Sequence, residues 1–454
     1  AMRVLTDPAE TGAVTIAMPQ DVQAEVFDWP VELFRKRVWH VRRPVPEPAA
    51  LERAVALIKA AKRPLIIAGG GTIYAGASEE LRALATATGI PVGDTQAGKG
   101  AINFDHPSAV GGVGSTGCDS GNHIADKADL IIGVGTRYSD FTTASKTQFK
   151  NPDVKFVNIN VTPFDAAKES AEMVVADARE ALAALTEALA DYRVEAAYSE
   201  EITAEKEAWL KATERCYHLD HGPLPAQTEV FGALNELMGE EDVVINAAGS
   251  MPGDLQALWQ ARSPLQYHVE YAFSCMGYEV PAAMGVKLAR PEAEVVAIVG
   301  DGTYQMLPME LATVVQENIK VIYVLLQNYG FCSIGALSES RGSQRFGTKY
   351  RRRGEGSHLA DEQVIDGVDI AANARSWGLD VLEVHTIAEF KDAYRQAEAS
   401  DRPTMIHIET DLYGPNPPGS SWWDVPVSGV SELESTQRAY EEYLRDRKPQ
   451  RHYL

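Results

Sequence analysis

Short runs of β-branched and other apolar residues recur along this chain, each followed by a glycine-rich or polar turn and then a stretch of helical character. Residues 64–68, 130–135, 155–160, 295–299 and 320–326 read as buried strands. Their apolar character is nearly continuous rather than alternating, which is the pattern of a parallel sheet covered on both faces. Residues 243–250 read as another buried strand that runs into a turn of small residues, Ala247-Ala248-Gly249-Ser250. Helices are expected over 50–61 and 309–318, the second lying where a crossover between two parallel strands must run. The alternation predicts an α/β chain with two doubly wound, mostly parallel-sheet domains. Residues 11–17 read as a strand with no partner, and a lone strand cannot form a domain. Residues 30–48, with Pro30, Pro44, Pro46, Pro48 and several arginines, read as an extended linker.

These elements divide the chain into a leading remnant and linker (1–40), a middle α/β domain (41–192), a linking helix (193–221), a second α/β domain (222–415) and a tail with a terminal helix (416–454). The spacing of Glu and Lys over 195–216 reads as a solvated helix face. In the tail, Trp422 and Trp423 read as packing anchors ahead of a helix over 432–448.

Candidate chemistry concentrates in the second domain. The strand 295–299 ends in Gly300-Asp301-Gly302, and the strand 320–326 ends in Gln327-Asn328, with Asp301 and Asn328 27 positions apart. Two parallel strands joined by one crossover helix deliver that carboxylate and that amide to the same sheet edge. Both are hard oxygen ligands suited to Mg²⁺ or Ca²⁺, and Mg²⁺ completes its octahedron with phosphates and water. Gly302 allows the backbone to approach a phosphate closely. Taken alone, Gly-Asp-Gly is equally an ordinary tight turn; the second strand and Asn328 tip the balance. The turn 247–250 exposes backbone N–H groups suited to an anion.

With these residues in hand the chain resembles the thiamine-diphosphate enzymes, whose signature is Gly-Asp-Gly followed some two dozen to thirty residues later by Asn. The resemblance implies thiamine diphosphate and Mg²⁺ as cofactors, with the metal on Asp301, the Asn328 side chain and the Gly330 carbonyl. It implies cofactor contacts at Gly249, Ser250, Met276, Gly277, Gly300, Gly302, Thr303, Asn328 and Tyr329, with Met276 as the wedge that holds the cofactor bent. Read on its own, Met276 is also an ordinary core methionine. Gln327 departs from the Asn or Asp usual at that position, which is not a ligand. The family's middle domain binds FAD in some members. Gly69, Gly70 and Gly71 are consecutive rather than spaced as in a dinucleotide loop, so FAD is not expected here.

Six further runs narrow the match: Pro19-Gln20-Asp21-Val22-Gln23-Ala24-Glu25, Tyr267-His268-Val269-Glu270-Tyr271, Ser274-Cys275-Met276-Gly277-Tyr278-Glu279, Asn328-Tyr329-Gly330-Phe331, Gly342-Ser343-Gln344-Arg345-Phe346-Gly347 and Ser421-Trp422-Trp423. They resemble the inositol-catabolic trihydroxycyclohexane-1,2-dione hydrolases, which open a cyclic polyol diketone to 5-deoxyglucuronic acid by hydrolytic C–C cleavage. The resemblance implies that the family's main catalytic glutamate belongs to a pyrimidine-binding domain represented here only by its closing pattern, so the chain by itself is expected to be catalytically incomplete. His268 and Glu270, just ahead of Met276, are candidate acid–base groups, or equally a hydrogen-bonded pair at a subunit interface. Ser274 and Cys275 could line the pocket, a small buried cysteine being the plainer reading of the latter. Arg341, Arg345, Arg351, Arg352 and Arg353 read as a solvated, mobile loop able to close over substrate. An acetolactate-synthase-like carboligase on the same cofactor, or a non-catalytic cofactor-binding fragment, are the alternatives.

Composition changes this picture little. At 454 residues the chain has room for two to three domains. A formal net charge of −22 argues against nucleic acid or an anionic membrane as partner. Cys118, Cys216, Cys275 and Cys332 are scattered without a CxxC pair, which suits a reducing cytoplasm. No signal peptide or transmembrane run is read at sequence level, and a homodimer or homotetramer is expected.

Overall fold

The computed structural model describes residues 1–271, 273–351 and 368–451. Two six-stranded sheets, all parallel, organise it. The first contains β1 (Pro64–Ala68), β2 (Val92–Asp94), β3 (Ala109–Gly112), β4 (Leu130–Val134), β5 (Lys155–Asn160) and β6 (Glu172–Val175) in the order β3-β2-β1-β4-β5-β6. The second contains β7 (Val243–Asn246), β8 (Tyr267–Val269), β9 (Val295–Gly300), β10 (Ile322–Gln327), β11 (Asp380–Val384) and β12 (Thr404–Glu409) in the order β11-β12-β10-β9-β7-β8. The central strands are buried along their length, which is why the sequence shows unbroken apolar runs there.

In each sheet the chain starts in the interior, winds outward to one side and then crosses back to the other. That reversal leaves a crevice outside the carboxyl ends of two neighbouring strands, where ligands of open α/β sheets bind. In the first sheet it lies between β1 and β4, and in the second between β7 and β9. Register fixes what emerges there. Leu326 of β10 pairs with Gly300 of β9, so Asp301 and Asn328 leave the sheet side by side. Ile245 pairs with Ala297, which sets the turn after β7 on the other flank of Asp301.

Two expectations need correction and a third needs completing. No strand forms over 11–17; this stretch is exposed and unpaired, because nothing beside it offers a sheet edge. The helix Ala196–Tyr217 is not merely a solvated rod. Its Tyr198 hydroxyl donates to Pro64 O at the start of β1, Trp209 Nε1 donates to Ala257 O at 2.7 Å, and Lys206 is buried with Nζ donating to His106 O. One face of this helix therefore straps the two sheets together while Glu and Lys occupy the other. The arginine segment is also better anchored than a solvated loop. Arg345 is 91% buried on its side chain's account (9% exposed), pairs with Glu339 at 2.7 Å and lies 4.5 Å over the Tyr413 ring, while Arg341 reaches Trp423 O. Arg352 and Arg353 lie outside the described residues.

The tail crosses back over the first sheet's loops. Trp423 Nε1 donates to Asp140 Oδ2 at 2.8 Å beside the Phe141 ring, and Trp422 stacks on Tyr443 of the terminal helix Glu434–Asp446. Among the described residues no helix is long and apolar enough to cross a membrane.

Candidate cofactor and metal site

Asp301 opens a one-turn helix, Asp301–Tyr304, rather than a simple tight turn, and is only 1% exposed. Its Oδ1 accepts from Gly302 N at 2.7 Å, and its Oδ2 accepts from Tyr329 N at 2.6 Å and Asn328 N at 3.2 Å. Burial pushes its carboxyl up to about 6, against the opposing pull of the Tyr329, Gly302, Asn328 and Gly330 N–H groups. Tyr329 takes a left-handed φ of 59°, uncommon for a non-glycine residue. That turn aims its N–H at Asp301, and its hydroxyl bonds Glu409 Oε1 at 2.6 Å, which holds the ring in place.

The Asn328 side-chain oxygen is buried and accepts no hydrogen bond among the described residues. An orphaned acceptor of this kind is costly unless something outside the chain fills it. The Gly330 carbonyl oxygen lies 3.7 Å from where a Cβ on Gly302 would stand, so it faces the same turn. A carboxylate, a free amide oxygen and a backbone carbonyl thus stand at the neighbouring ends of β9 and β10, a hard-oxygen donor set of the kind that suits a divalent cation. Gln327, next to the amide, points elsewhere: its Oε1 meets His407 Nε2 at 2.8 Å on the neighbouring strand. Gly302 is needed first for the Phe331 ring, which would sit 2.9 Å from an added Cβ.

The turn after β7 flanks this set. Gly249 has φ +97° with nothing within 4 Å of a notional Cβ, so it combines a glycine-only conformation with open space. Ser250 Oγ donates to Gln227 Oε1 at 3.1 Å, and Gln227 in turn donates to the buried Asp254. Met276 is half-buried on the loop before the helix Glu279–Ala289. Gly277, at φ +89°, could not carry a side chain, since a Cβ would stand 2.7 Å from Leu307 Cβ. Its N–H donates to Thr303 Oγ1 at 2.7 Å. Sequence reasoning gave no role to Glu279, which accepts from that same hydroxyl. The available signal was a carboxylate set between Gly277 and an apolar helix start.

His268 and Glu270 emerge from β8, at the far edge of the same row. They line a cavity of about 770 Å³ between the two sheets, faced on the other side by Gly69, Gly135 and Thr136; Asp301, Asn328 and Gly330 do not line it. His268 Nε2 meets the Tyr278 hydroxyl at 2.7 Å. Burial lowers its pKa, with Glu270 pulling the other way. Glu270 accepts from Cys275 N at 2.6 Å and so shapes the loop leading to Met276. Cys275 is exposed, not packed, as is Ser274. The Gly69-Gly70-Gly71 turn is accounted for by packing: a Cβ on Gly69 would fall 2.3 Å from Gly135 O, and one on Gly71 2.7 Å from Gly135 Cα.

Two family models match, the central domain of thiamine pyrophosphate enzymes over residues 51–185 and their C-terminal TPP binding domain over 247–408. The first match spans all of the first sheet, and the second spans the second sheet from the turn after β7 onward. Curated relatives agree: the 3D-(3,5/4)-trihydroxycyclohexane-1,2-dione hydrolase of Bacillus cereus (strain AH820) is 43% identical over 100% of this chain and 74% of its own length. The proteins of that name from Bacillus anthracis (strain CDC 684 / NRRL 3495), at 42%, and Bacillus thuringiensis (strain Al Hakam), at 43%, show the same coverage. Two doubly wound sheets, a cofactor-domain match that includes Asp301 and Asn328, and identity of this extent place the chain in the thiamine pyrophosphate enzyme family, among the 3D-(3,5/4)-trihydroxycyclohexane-1,2-dione hydrolases.

Proposed function

We propose that the chain serves a thiamine-diphosphate- and Mg²⁺-dependent hydrolase that opens the ring of a trihydroxycyclohexane-1,2-dione to give 5-deoxyglucuronic acid in inositol breakdown. The observation that carries the reading is the orphaned Asn328 oxygen beside buried Asp301 on adjacent parallel strands. Asp301, Asn328 and the Gly330 carbonyl would hold the cation, and Gly249 and Ser250 would hold the diphosphate. When bound, the cofactor supplies a carbanion that adds to a carbonyl and a ring that accepts the electron pair. Met276 would set its bent shape. Ring opening consumes one water and leaves the oxidation level of the whole unchanged, so the protein's part is to orient the dione and handle protons.

His268 suits the second task. Burial disfavours its charged form, so near neutral pH its Nε2 shares the Tyr278 proton or takes one from water. Glu270 supports it by fixing the 273–275 backbone. The substrate class, a cyclic polyol diketone, fits a cavity in which polar groups such as Ser139, Asn160, His268 and Glu270 stand among apolar ones, and the charge of −22 suits neither nucleic acid nor an anionic membrane. We assign the activity to the cytoplasm and to a homodimer or homotetramer.

Calorimetry tests the cofactor reading directly. Thiamine diphosphate titrated in the presence of Mg²⁺ should bind, and binding should weaken strongly when a chelator replaces the metal. Equal heats in both conditions would overturn the metal assignment, and no heat in either would overturn the site.

A further inference from the structure

Glu279 is fully buried, and among the described residues no lysine or arginine pairs with it. Its carboxylate instead accepts from Thr303 Oγ1, at 3.2 Å to Oε1 and 3.0 Å to Oε2. The N–H groups of Glu279 itself, Ala248 and Gly277 face it as well, while burial drives its pKa upward. Thr303 links the two, its Oγ1 accepting from the Gly277 N–H at 2.7 Å and donating its own hydrogen bond to Glu279. A carboxylate placed in a core without a cation is costly, and its position at the first turn of the helix Glu279–Ala289 offsets only part of that. The partners explain what the cost supports. They come from three separate stretches: the turn after β7, the Met276–Gly277 loop, and the turn after β9. Each of these is a segment assigned above to the cofactor.

We propose that Glu279 is a positioning residue whose carboxylate, through Thr303 and the Ala248 and Gly277 amides, locks the diphosphate turn, the wedge loop and the metal turn into one rigid cradle. The inference rests on the thiamine-diphosphate reading for what the cradle holds, and on the hydrogen bonds alone for the locking. A shared acceptor fixes the spacing of Met276 from Asp301. Loosening it should cost orientation more than anchoring, since Asp301, Asn328, Gly330, Gly249 and Ser250 all stay in place.

The test compares Glu279→Gln, Thr303→Val and Thr303→Ser by amide hydrogen exchange, by calorimetry of thiamine diphosphate with Mg²⁺, and, in the enzyme supplied with its pyrimidine-binding domain, by turnover at saturating cofactor. In Glu279→Gln and Thr303→Val, exchange at Ala248 and Gly277 should speed by about tenfold or more while β9 and β10 amides keep their protection. Turnover should fall by about tenfold with a smaller change in cofactor affinity. The double variant should be no worse than the worse single one, because both break one chain of bonds. Thr303→Ser keeps the hydroxyl and should restore slow exchange. Unchanged exchange in folded Glu279→Gln, or strictly additive losses, overturns the proposal; if Glu279→Gln does not fold, Thr303→Val decides by the same criteria. Asp301→Asn run alongside separates the two ideas: cofactor binding that survives it overturns the metal reading while leaving the exchange result to judge the locking.

Discussion

Replacing Asp301 by Asn should make the metal-free protein more stable and the cofactor-loaded protein less so. Burial raises the carboxyl from 3.8 to about 6, so between those values the folded state holds its proton more tightly than the unfolded chain does. Stability of the metal-free protein therefore falls as pH rises through that window and stays low above it. A shift of roughly 2 units corresponds to about 3 kcal/mol of unfavourable burial at pH 8. Asn removes that charge but offers one oxygen where two now serve. With its oxygen toward Tyr329 N and Asn328 N, the Gly302 N–H loses its acceptor at a cost of about 1–3 kcal/mol. The net is a gain of about 1 kcal/mol, or roughly 2 °C in melting temperature at pH 8 with chelator. Added Mg²⁺ and thiamine diphosphate at a hundredfold over Kd should stabilise the wild type by about 2.7 kcal/mol and the variant far less, reversing their order. Scanning calorimetry at pH 8 and pH 5, with and without ligands, reads all of this. A variant less stable than wild type without metal, yet stabilised equally by the ligands, refutes both the buried-charge account and the ligand assignment.

Two further outcomes follow from neighbouring groups. Met276→Ala should lower turnover at saturating cofactor more than it lowers cofactor affinity, because the side chain is assigned shape rather than anchoring; a loss confined to affinity in calorimetry would return Met276 to plain packing. Asp254 is buried with its carboxyl raised to about 7 by burial, Gln227 opposing, so Asp254→Asn should stabilise the protein above pH 7 by up to about 4 kcal/mol and give little gain near pH 4, where the folded carboxyl is protonated and the unfolded one about half so. Equal melting temperatures for variant and wild type at pH 8 would show that the Gln227 contact already compensates the charge.

The strands of the second domain were legible because burial on both faces demands unbroken apolar runs, and β9 and β10 fall within a residue or two of the expected bounds. Asp301 and Asn328 were legible for the same reason: once the strands are parallel and adjacent, their ends are neighbours. What local pattern could not supply is long-range partnership. Residues 11–17 have strand composition but no edge to pair with. The Glu and Lys spacing of Ala196–Tyr217 describes one face of that helix truly and hides Trp209 and Lys206 on the other. Arg345 looks solvated beside Gly342 and Gly347, and only the fold brings Tyr413 under its guanidinium. Glu279 was invisible as a cradle member because its partners lie at Ala248 and Thr303, dozens of positions away in both directions.

Glycine after a strand was the shared signal at both switch points, and the two sites answer it differently. Behind β1, the space beside Gly69 and Gly71 is filled by the Gly135 backbone, so those residues are glycine because two loops touch. Behind β7, Gly249 is glycine because its φ is +97°, and the space where a Cβ would go is empty. A close loop contact needs small residues whether or not a ligand is near, whereas a strained turn facing open space, at the same sheet edge as a buried, unsatisfied amide oxygen, has no partner among the described residues to account for it. The second combination is therefore the more specific mark of a ligand site. It follows that Gly249→Ala should disturb the site through backbone strain rather than collision. In Gly69→Ala the methyl would strike the Gly135 carbonyl, and the damage should appear as lost packing between the β1 and β4 loops.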